Sequence, residues 1–310
     1  MPITIIPCIR FEEPVICSYD LEKWIIYVHI SHCVGYLPSI NYFDVPKLTE
    51  ATTWESAMEN QVNRENYFFF IYTLVLLFIV LLGFAPSLFL RFAFETPPIP
   101  LYLHLHGVIL TGWFIWLVAQ AWLIRIKKPI LHRKLGYFGA IYGLAVLMGG
   151  LMASLNSVSR GLGIGATLDT NMADINPAMG AGITYLVFIS DVVWANIIAV
   201  STFAILLCSA VIFRTQSEVH KRLILIATVS ILEPALARIS RIEILGGEQG
   251  PFIHSALLML LAAIIIYDLV TLKKVHKATL VAIIFAITLN RLGSMIAGSE
   301  FGLAFIRSLA

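Results

Sequence analysis

The sequence predicts an all-α fold, a polytopic membrane helical bundle with about seven transmembrane helices. Of its 310 residues, 59% are hydrophobic and only 13% are charged, whereas soluble domains contain about 25% charged residues. The mean hydropathy is +0.86. A water-soluble fold needs more charge than this to cover its surface, so a pair of soluble domains is excluded.

The apolar residues form seven stretches, each close to the length of about 20 residues that a helix needs to cross a bilayer. The fifth stretch contains Pro234, which removes a backbone hydrogen bond and predicts a break in that helix. Asn290 and Arg291 interrupt the seventh. The predicted spans are Tyr67–Phe89, Leu101–Ile124, Leu135–Leu155, Ile183–Phe213, Leu223–Ile239, Phe252–Leu272 and Ala278–Ile296.

Positive charge is unequally divided between the connections on the two sides of the predicted bundle. One side carries Arg125, Lys127, Lys128, Arg133, Lys134, Arg214, Lys221, Arg222, Lys273, Lys274 and Lys277. The other side carries Arg91, Arg160, Arg238 and Arg241. The positive-inside rule makes the first side cytoplasmic. We therefore expect an inner (cytoplasmic) membrane protein with a cytoplasmic N-terminus and the lipid bilayer as its partner.

The net charge of +2 gives no basic excess for binding nucleic acid. Residues 1–62 are predicted to be a poorly ordered or peripheral extension before a bundle at 63–310. Trp24–Ile30 is too short to cross a membrane. A second interpretation is that translation starts at Met58. The sequence shows no matched set of metal ligands in this extension.

Ionisable side chains recur near the outer ends of several predicted helices. Charges inside a bilayer are costly unless they are paired or hydrated. The helical rise per residue places these groups between the middle of the membrane and its outer boundary, so they predict an outward-facing polar pocket for haem or a small ligand. The members of this pocket are His106, Asp191, Glu233, Arg238, His254 and Arg291.

Three histidines stand at the cytoplasmic starts of predicted helices, each followed by a cation. They are His132, His220 and His276. Anchoring in lipid headgroups is one interpretation and ligand binding is the other. Farther along the third span, a face of small residues formed by Gly136, Gly139 and Gly143 predicts close approach of a neighbouring helix.

Five motifs resemble a family of bacterial multi-pass inner-membrane proteins. They are the GFAPSLFLR ending of residues 63–91, LYLHLHGVILTGWFIWLVAQAWLI (101–124), LHRKLGYFG (131–139), EVHKRLILIATVSILEPALARI (218–239) and YDLVTLKKVHKATL (267–280). The resemblance covers residue 63 to the end and implies a compact helical bundle in the cytoplasmic membrane, but no reaction. Its motif positions are His106, Gln120, His132, Gly136, His220, Arg222, Arg238, Asp268 and His276.

The histidines on neighbouring helices also resemble those of two-haem transmembrane cytochromes, in which axial ligands face one another across a bundle. This resemblance implies His106 with His254 at an outer haem. It implies His132 with His220 at an inner one.

Four functions therefore compete. The first is a haem-binding or redox protein, and the second is a proton-coupled transporter with Glu233 as the proton carrier. The third is a zinc-dependent hydrolase with His106, His254 and Asp191 around the metal, although no HExxH or HxxxH motif is present. The fourth is a structural or assembly factor in which the polar groups only join helices. The cofactor and the enzymatic status stay open.

Overall fold

The computed structural model of the protein describes residues 67–93, 99–163, 165–175, 182–241 and 249–310. Over these ranges the chain forms helices and turns without strands, apart from one isolated antiparallel bridge between Asn171 and Thr184. The predicted all-α membrane bundle is confirmed. The predictions for residues 1–62, including a start at Met58, lie outside the described residues.

The described helices follow one another with short connections. They are α1 (Tyr67–Phe89), α2 (Leu101–Arg125), α3 (Pro129–Gly163), α4 (Met172–Ile175), α5 (Tyr185–Ile212), α6 (Ser217–Ser230), α7 (Glu233–Ile239), α8 (Gln249–Leu272), α9 (Lys277–Ala297) and α10 (Glu300–Leu309). The last turn of α1 widens into a π-helix at Ala85–Phe89, where Pro86 cannot donate a helical hydrogen bond.

Six of these helices are long and apolar enough to cross a membrane: α1, α2, α3, α5, α8 and α9. The predicted fifth span is a broken helix, because α6 ends at Ser230 and α7 begins at Glu233. Pro234 lies in the first turn of α7, where its missing N–H costs nothing. The predicted break at Pro234 is thereby confirmed.

Helix α3 is much longer than predicted, and α9 is more regular than predicted. The 35 residues of α3 extend beyond the predicted Leu135–Leu155 at both ends, because Pro129 suits the first turn of a helix and the polar residues after Leu155 continue its backbone ladder. Asn290 and Arg291 do not interrupt α9. The Arg291 side chain is exposed, and a long cationic side chain on a helix surface can reach polar surroundings without breaking the helix.

The centre of the bundle is α5, which packs against α3, α6, α9 and α10. Small residues allow the close approaches. On α3, Gly139 faces the Trp116 ring of α2 and Gly143 faces Leu207 of α5, so the predicted packing face is confirmed for these two glycines. The space beside Gly136 is open, since no atom lies within 4 Å of the position a Cβ would take.

Polar side chains join neighbouring helices inside the apolar core. Trp113 Nε1 of α2 donates a hydrogen bond to Thr228 Oγ1 of α6 (3.2 Å), and the Tyr142 hydroxyl of α3 donates to the Ile109 carbonyl oxygen of α2 (2.7 Å). Large apolar side chains such as Ile141 (69% exposed) point outward. This arrangement is typical of helices that pack in lipid, where hydrogen bonds supplement van der Waals contact.

The connections richest in Lys and Arg lie together at one end of the bundle, which we call the basic end. There the start of α3 contacts the start of α6, and the start of α6 contacts the α8–α9 turn. The opposite end, called the distal end, carries the α3–α5, α7–α8 and α9–α10 connections. Arg222 belongs to neither connection, because it is a fully buried residue of α6.

Candidate functional site

A pair of histidines lies at the basic end, between the first turns of α3 and α6. The rings of His132 and His220 have centroids 6.3 Å apart and planes nearly perpendicular, at 85°. Both side chains are partly buried. The turn after α2 places His132, and the turn after α5 places His220, so four helix ends converge on the pair.

Main-chain carbonyls orient both rings through Nδ1. The Nδ1 of His220 lies 2.8 Å from the carbonyl oxygen of Ala210, and that of His132 lies 3.3 Å from the carbonyl oxygen of Gln120. A carbonyl oxygen only accepts, so Nδ1 carries the proton in each neutral ring. Neither Nε2 atom makes a hydrogen bond to a described residue, which leaves two lone pairs available as ligands.

Beside His132, α2 contributes polar atoms that are buried without a partner. Both the oxygen and the nitrogen of the Gln120 amide, and Nε1 of Trp116, make no hydrogen bond to any described residue. Gln120 follows Trp116 by one helical turn, so both lie on one face of α2. A buried polar group without a partner costs about 1–3 kcal/mol. The site therefore has hydrogen-bonding capacity for a further molecule.

Helix α3 has open space one turn after His132. Gly136 follows His132 by four residues and lies on the same helix face. A Cβ at Gly136 would contact nothing within 4 Å, whereas one at Gly139 would lie 2.8 Å from Trp116 Nε1. The packing face of α3 is therefore filled at Gly139 but leaves room beside the histidine pair.

A buried ion-pair network fixes the position of α6 behind His220. Arg222 donates from Nε and Nη2 to Asp268 Oδ1 of α8, and from Nη1 to Glu218. The other oxygen of Asp268 accepts from the Thr279 hydroxyl (2.6 Å) and from the main-chain N–H of His276 (3.0 Å). Arg222 and Asp268 are both fully buried. This network joins α6, α8 and α9.

The distal end holds the members of the predicted outward pocket, and four of them interact electrostatically in two pairs. Glu233 lies within electrostatic range of His254, and Arg238 within range of His106. The guanidinium of Arg238 stacks on the Phe84 ring at 4.3 Å. His106 approaches Gly149 of α3, and its Nδ1 is buried without a partner among the described residues.

The two remaining members of that set make no polar contact with the others in the described ranges. Asp191 of α5 and Arg291 of α9 are both exposed, and no hydrogen bond or ion pair joins either to another member in the described ranges. His106 and His254 make no ring contact with each other, unlike His132 and His220. Among the described residues, no three His, Cys, Asp or Glu side chains form a group that could hold a metal ion.

Some residues of this site were expected from the sequence, and one of them, Trp116, was not. Gln120 entered only through the family resemblance, whereas Gly136 was also predicted to belong to the small-residue face of α3. Trp116 was not singled out, because a tryptophan inside an apolar span is an ordinary core residue. The partnership of Arg222 with Asp268 was also missed. The sequence did contain an indication of this pair. Asp268 is the one carboxylate in the sequence of α8, and a buried arginine requires an anion.

Comparison with protein-family models, curated proteins and solved structures finds no match. The class of the protein is a multi-pass helical bundle for a lipid bilayer. Two features define its best-ordered polar site: a pair of imidazoles whose Nε2 atoms make no hydrogen bond to a described residue, and buried polar atoms of α2 without a partner among the described residues.

Proposed function

We propose that this protein is an integral membrane haem protein in which His132 and His220 are the two axial ligands of one haem. The spacing of the two rings, with both Nε2 atoms free, is the observation that carries the proposal. A metal–imidazole bond is about 2 Å long, so two imidazoles on opposite sides of one metal ion have centroids about 6 Å apart. The 6.3 Å between the two ring centroids matches that spacing.

The surrounding residues fit a haem. The open space beside Gly136 lies next to the His132 ligand, where a flat macrocycle needs room. The Gln120 amide nitrogen, which has no partner among the described residues, would supply a hydrogen-bond donor for its polar edge. The carbonyls that accept from Nδ1 hold each ring in one orientation and raise the basicity of Nε2. When bound, the haem supplies one-electron chemistry at a potential set by its axial ligands and burial.

An absorption spectrum of detergent-purified protein from haem-supplied cells tests the proposal. We expect a Soret band in the wild type and its loss in His132→Ala and in His220→Ala. His104→Ala is the matched control, because His104 is an exposed histidine of α2, and it should keep the band. A colourless wild type, or a band that persists in both variants, would contradict the proposal.

Gly136→Leu provides a second arm that leaves both ligands in place. The leucine side chain would occupy the open space beside the pair, so we expect haem loss while the helical circular dichroism stays unchanged. Retention of a full Soret band in this variant would contradict the location of the macrocycle.

We propose that the protein lies in the inner membrane. In the proposed topology, the start of α1 and the basic end face the cytoplasm. Ten of the eleven Lys and Arg residues counted on that side remain outside the core, since only Arg222 is fully buried. A cytoplasmic surplus of Lys and Arg is the usual bias of such proteins. Fluorescent or phosphatase reporters fused after Ala310 test this, because α9 returns the chain to the distal end and the C-terminus should report an external location.

A second candidate function belongs to the distal end and is favoured by Glu233. This carboxylate begins α7 directly after the break in the helix and lies near His254. Broken helices with a carboxylate are typical of proton-coupled ligand sites. Uptake or binding that depends on pH and is lost in Glu233→Gln, in protein with an unchanged absorption spectrum, would favour this function over the haem site.

A further inference from the structure

The turn between α2 and α3 carries positive charge that its own helices do not compensate. Arg125, Lys127, Lys128, Arg133 and Lys134 surround this turn. The sequence contains no Asp or Glu between Glu95 and Asp169, so α2 and α3 supply no carboxylate at all. A local excess of one sign of charge attracts ions of the opposite sign.

The carboxylates that the structure describes at the basic end pair with cations outside the α2–α3 turn. Asp268 accepts from Arg222, Thr279 and the main chain of His276. Glu218 pairs with Lys221 and Arg222. Neither Lys128 nor Lys134 forms an ion pair with a described residue. The balancing anion for the α2–α3 turn is therefore not provided by these groups.

The lysines adjoin a cavity whose other lining residues, among those the structure describes, are apolar. A surface cavity of about 520 Å³ is lined by Lys127, Lys128, Pro129, Ile130, Leu131 and Lys134. The turn is sharp, because Lys127 takes the left-handed conformation (φ 57°) that ends α2, and Pro129 immediately starts α3. This geometry places Lys128 and Lys134 among the residues that line one cavity.

An apolar stripe leads from this cavity along α3 toward the middle of the membrane. Phe138 and Ile141 follow Lys134 by four and seven residues, which puts all three on one helix face. Both apolar side chains point outward, with exposed fractions of 64% and 69%. A positive headgroup site with an adjoining apolar stripe matches a molecule that has a phosphate at one end and acyl chains at the other.

We propose that the α2–α3 turn is a binding site for an anionic phospholipid. Lys128 and Lys134 contact its phosphate and headgroup, and its acyl chain lies along Phe138 and Ile141. The α8–α9 turn is the internal comparison. It has an equivalent exposed lysine pair, Lys273 and Lys274, with Lys273 in the same left-handed conformation (φ 56°), but Asp268 binds directly to that connection.

The test titrates full-length purified protein in detergent with dioleoylphosphatidylglycerol or dioleoylphosphatidylcholine and counts bound lipid by native mass spectrometry. Each lysine near an anionic headgroup contributes about 1 kcal/mol. We therefore expect Lys128→Ala/Lys134→Ala to bind phosphatidylglycerol about 30-fold more weakly. Lys273→Ala/Lys274→Ala should stay within about threefold of the wild type. Size-exclusion profiles establish that both variants are folded.

Three outcomes would overturn the proposal. Equal weakening in both double variants would indicate general attraction to positive charge rather than a site. Equal binding of phosphatidylcholine and phosphatidylglycerol would remove the requirement for an anion. Displacement of the lipid by millimolar inorganic phosphate alone would indicate a site for the free anion, without a contribution from the apolar stripe.

Discussion

At the scale of single residues, main-chain groups determine whether Nδ1 of each histidine at the basic end donates or accepts a hydrogen bond. His132 and His220 donate from Nδ1 to carbonyl oxygens, whereas His276 uses its Nδ1 as an acceptor for the N–H of Ala278 at the start of α9. The first two therefore have Nε2 free, and the third caps a helix. Three histidines with the same sequence context, each followed by a cation, thus have two different roles.

The cap formed by His276 predicts a stability that depends on pH. Protonation removes the lone pair that accepts from the N–H of Ala278. Burial lowers the pKa of His276, and the positive charges of Arg222 and Lys221 lower it further. The carboxylates of Asp268 and Glu218 oppose this effect only in part. Because the unfolded state then binds the proton more readily, stability present at neutral pH is lost as the pH falls below the ordinary histidine value of about 6.5.

His276→Asn tests this, since Asn caps helices well and does not titrate. Thermal unfolding should give wild-type stability at pH 7.5, within about 1 kcal/mol, and a smaller loss than the wild type at pH 5. The control His104→Asn alters a histidine that caps no helix and should follow the wild-type pH dependence. Parallel pH profiles for His276→Asn and the wild type would contradict the role of the cap.

Sequence reasoning located the important residues of the basic end but not their contacts. His132 and His220 were identified as helix-start histidines, with anchoring and ligation left open, because one sequence does not show which helix faces which. The orphaned amide of Gln120 is a property of packing against α3. No pattern in α2 distinguishes it from a glutamine that faces a polar neighbour.

At the scale of elements, the bundle depends on an ion pair that links helices distant in sequence. Arg222 of α6 and Asp268 of α8 are 46 residues apart, and Thr279 adds α9. The Pro234 break between α6 and α7 was predictable, since a missing N–H is a local property. The ion pair was not, because its partners are chosen by tertiary packing.

We predict that removing one partner of this pair is more damaging than removing both charges. Asp268→Asn leaves the buried Arg222 with Glu218, a partly exposed carboxylate, as its remaining counterion, and should lower the free energy of unfolding by about 3 kcal/mol. Arg222→Met combined with Asp268→Asn removes both charges, while the Asn oxygen still accepts from Thr279 and the main chain of His276. The double variant should therefore be more stable than Asp268→Asn alone.

Denaturant titration in mild detergent, followed by circular dichroism, measures these differences. Lys274→Met is the control, because it removes an exposed cation of the neighbouring turn, and it should change stability by less than about 1 kcal/mol. If Asp268→Asn were as stable as this control, the pair would not hold α6 against α8.

At the scale of the whole molecule, the two ends of the bundle differ in organisation. The basic end has a satisfied ion-pair network, a histidine pair and the lysine turn, whereas Asp191 and Arg291 of the predicted outward pocket lie exposed and apart from the other four members. Composition and hydropathy were sufficient to predict membrane helices and their approximate number. They did not predict that the best-defined polar site lies at the basic end, because depth along a helix does not determine which side chains share a cavity.

The position of the histidine pair predicts that haem stabilises the entire bundle. His132 begins α3 and His220 begins α6, and both helices pack on the central α5. A ligand that binds only the folded state at 100 times its Kd adds about 2.7 kcal/mol, which corresponds to a rise of about 5–10 °C in Tm for a domain of this size. Wild-type protein from haem-supplied cells should therefore melt about 5–10 °C above protein from haem-starved cells.

The Tm of His132→Ala should be independent of the haem supply, and His104→Ala should retain the wild-type difference in Tm. A wild type whose Tm ignores haem supply, or a His132→Ala variant that still responds to it, would contradict ligation between α3 and α6.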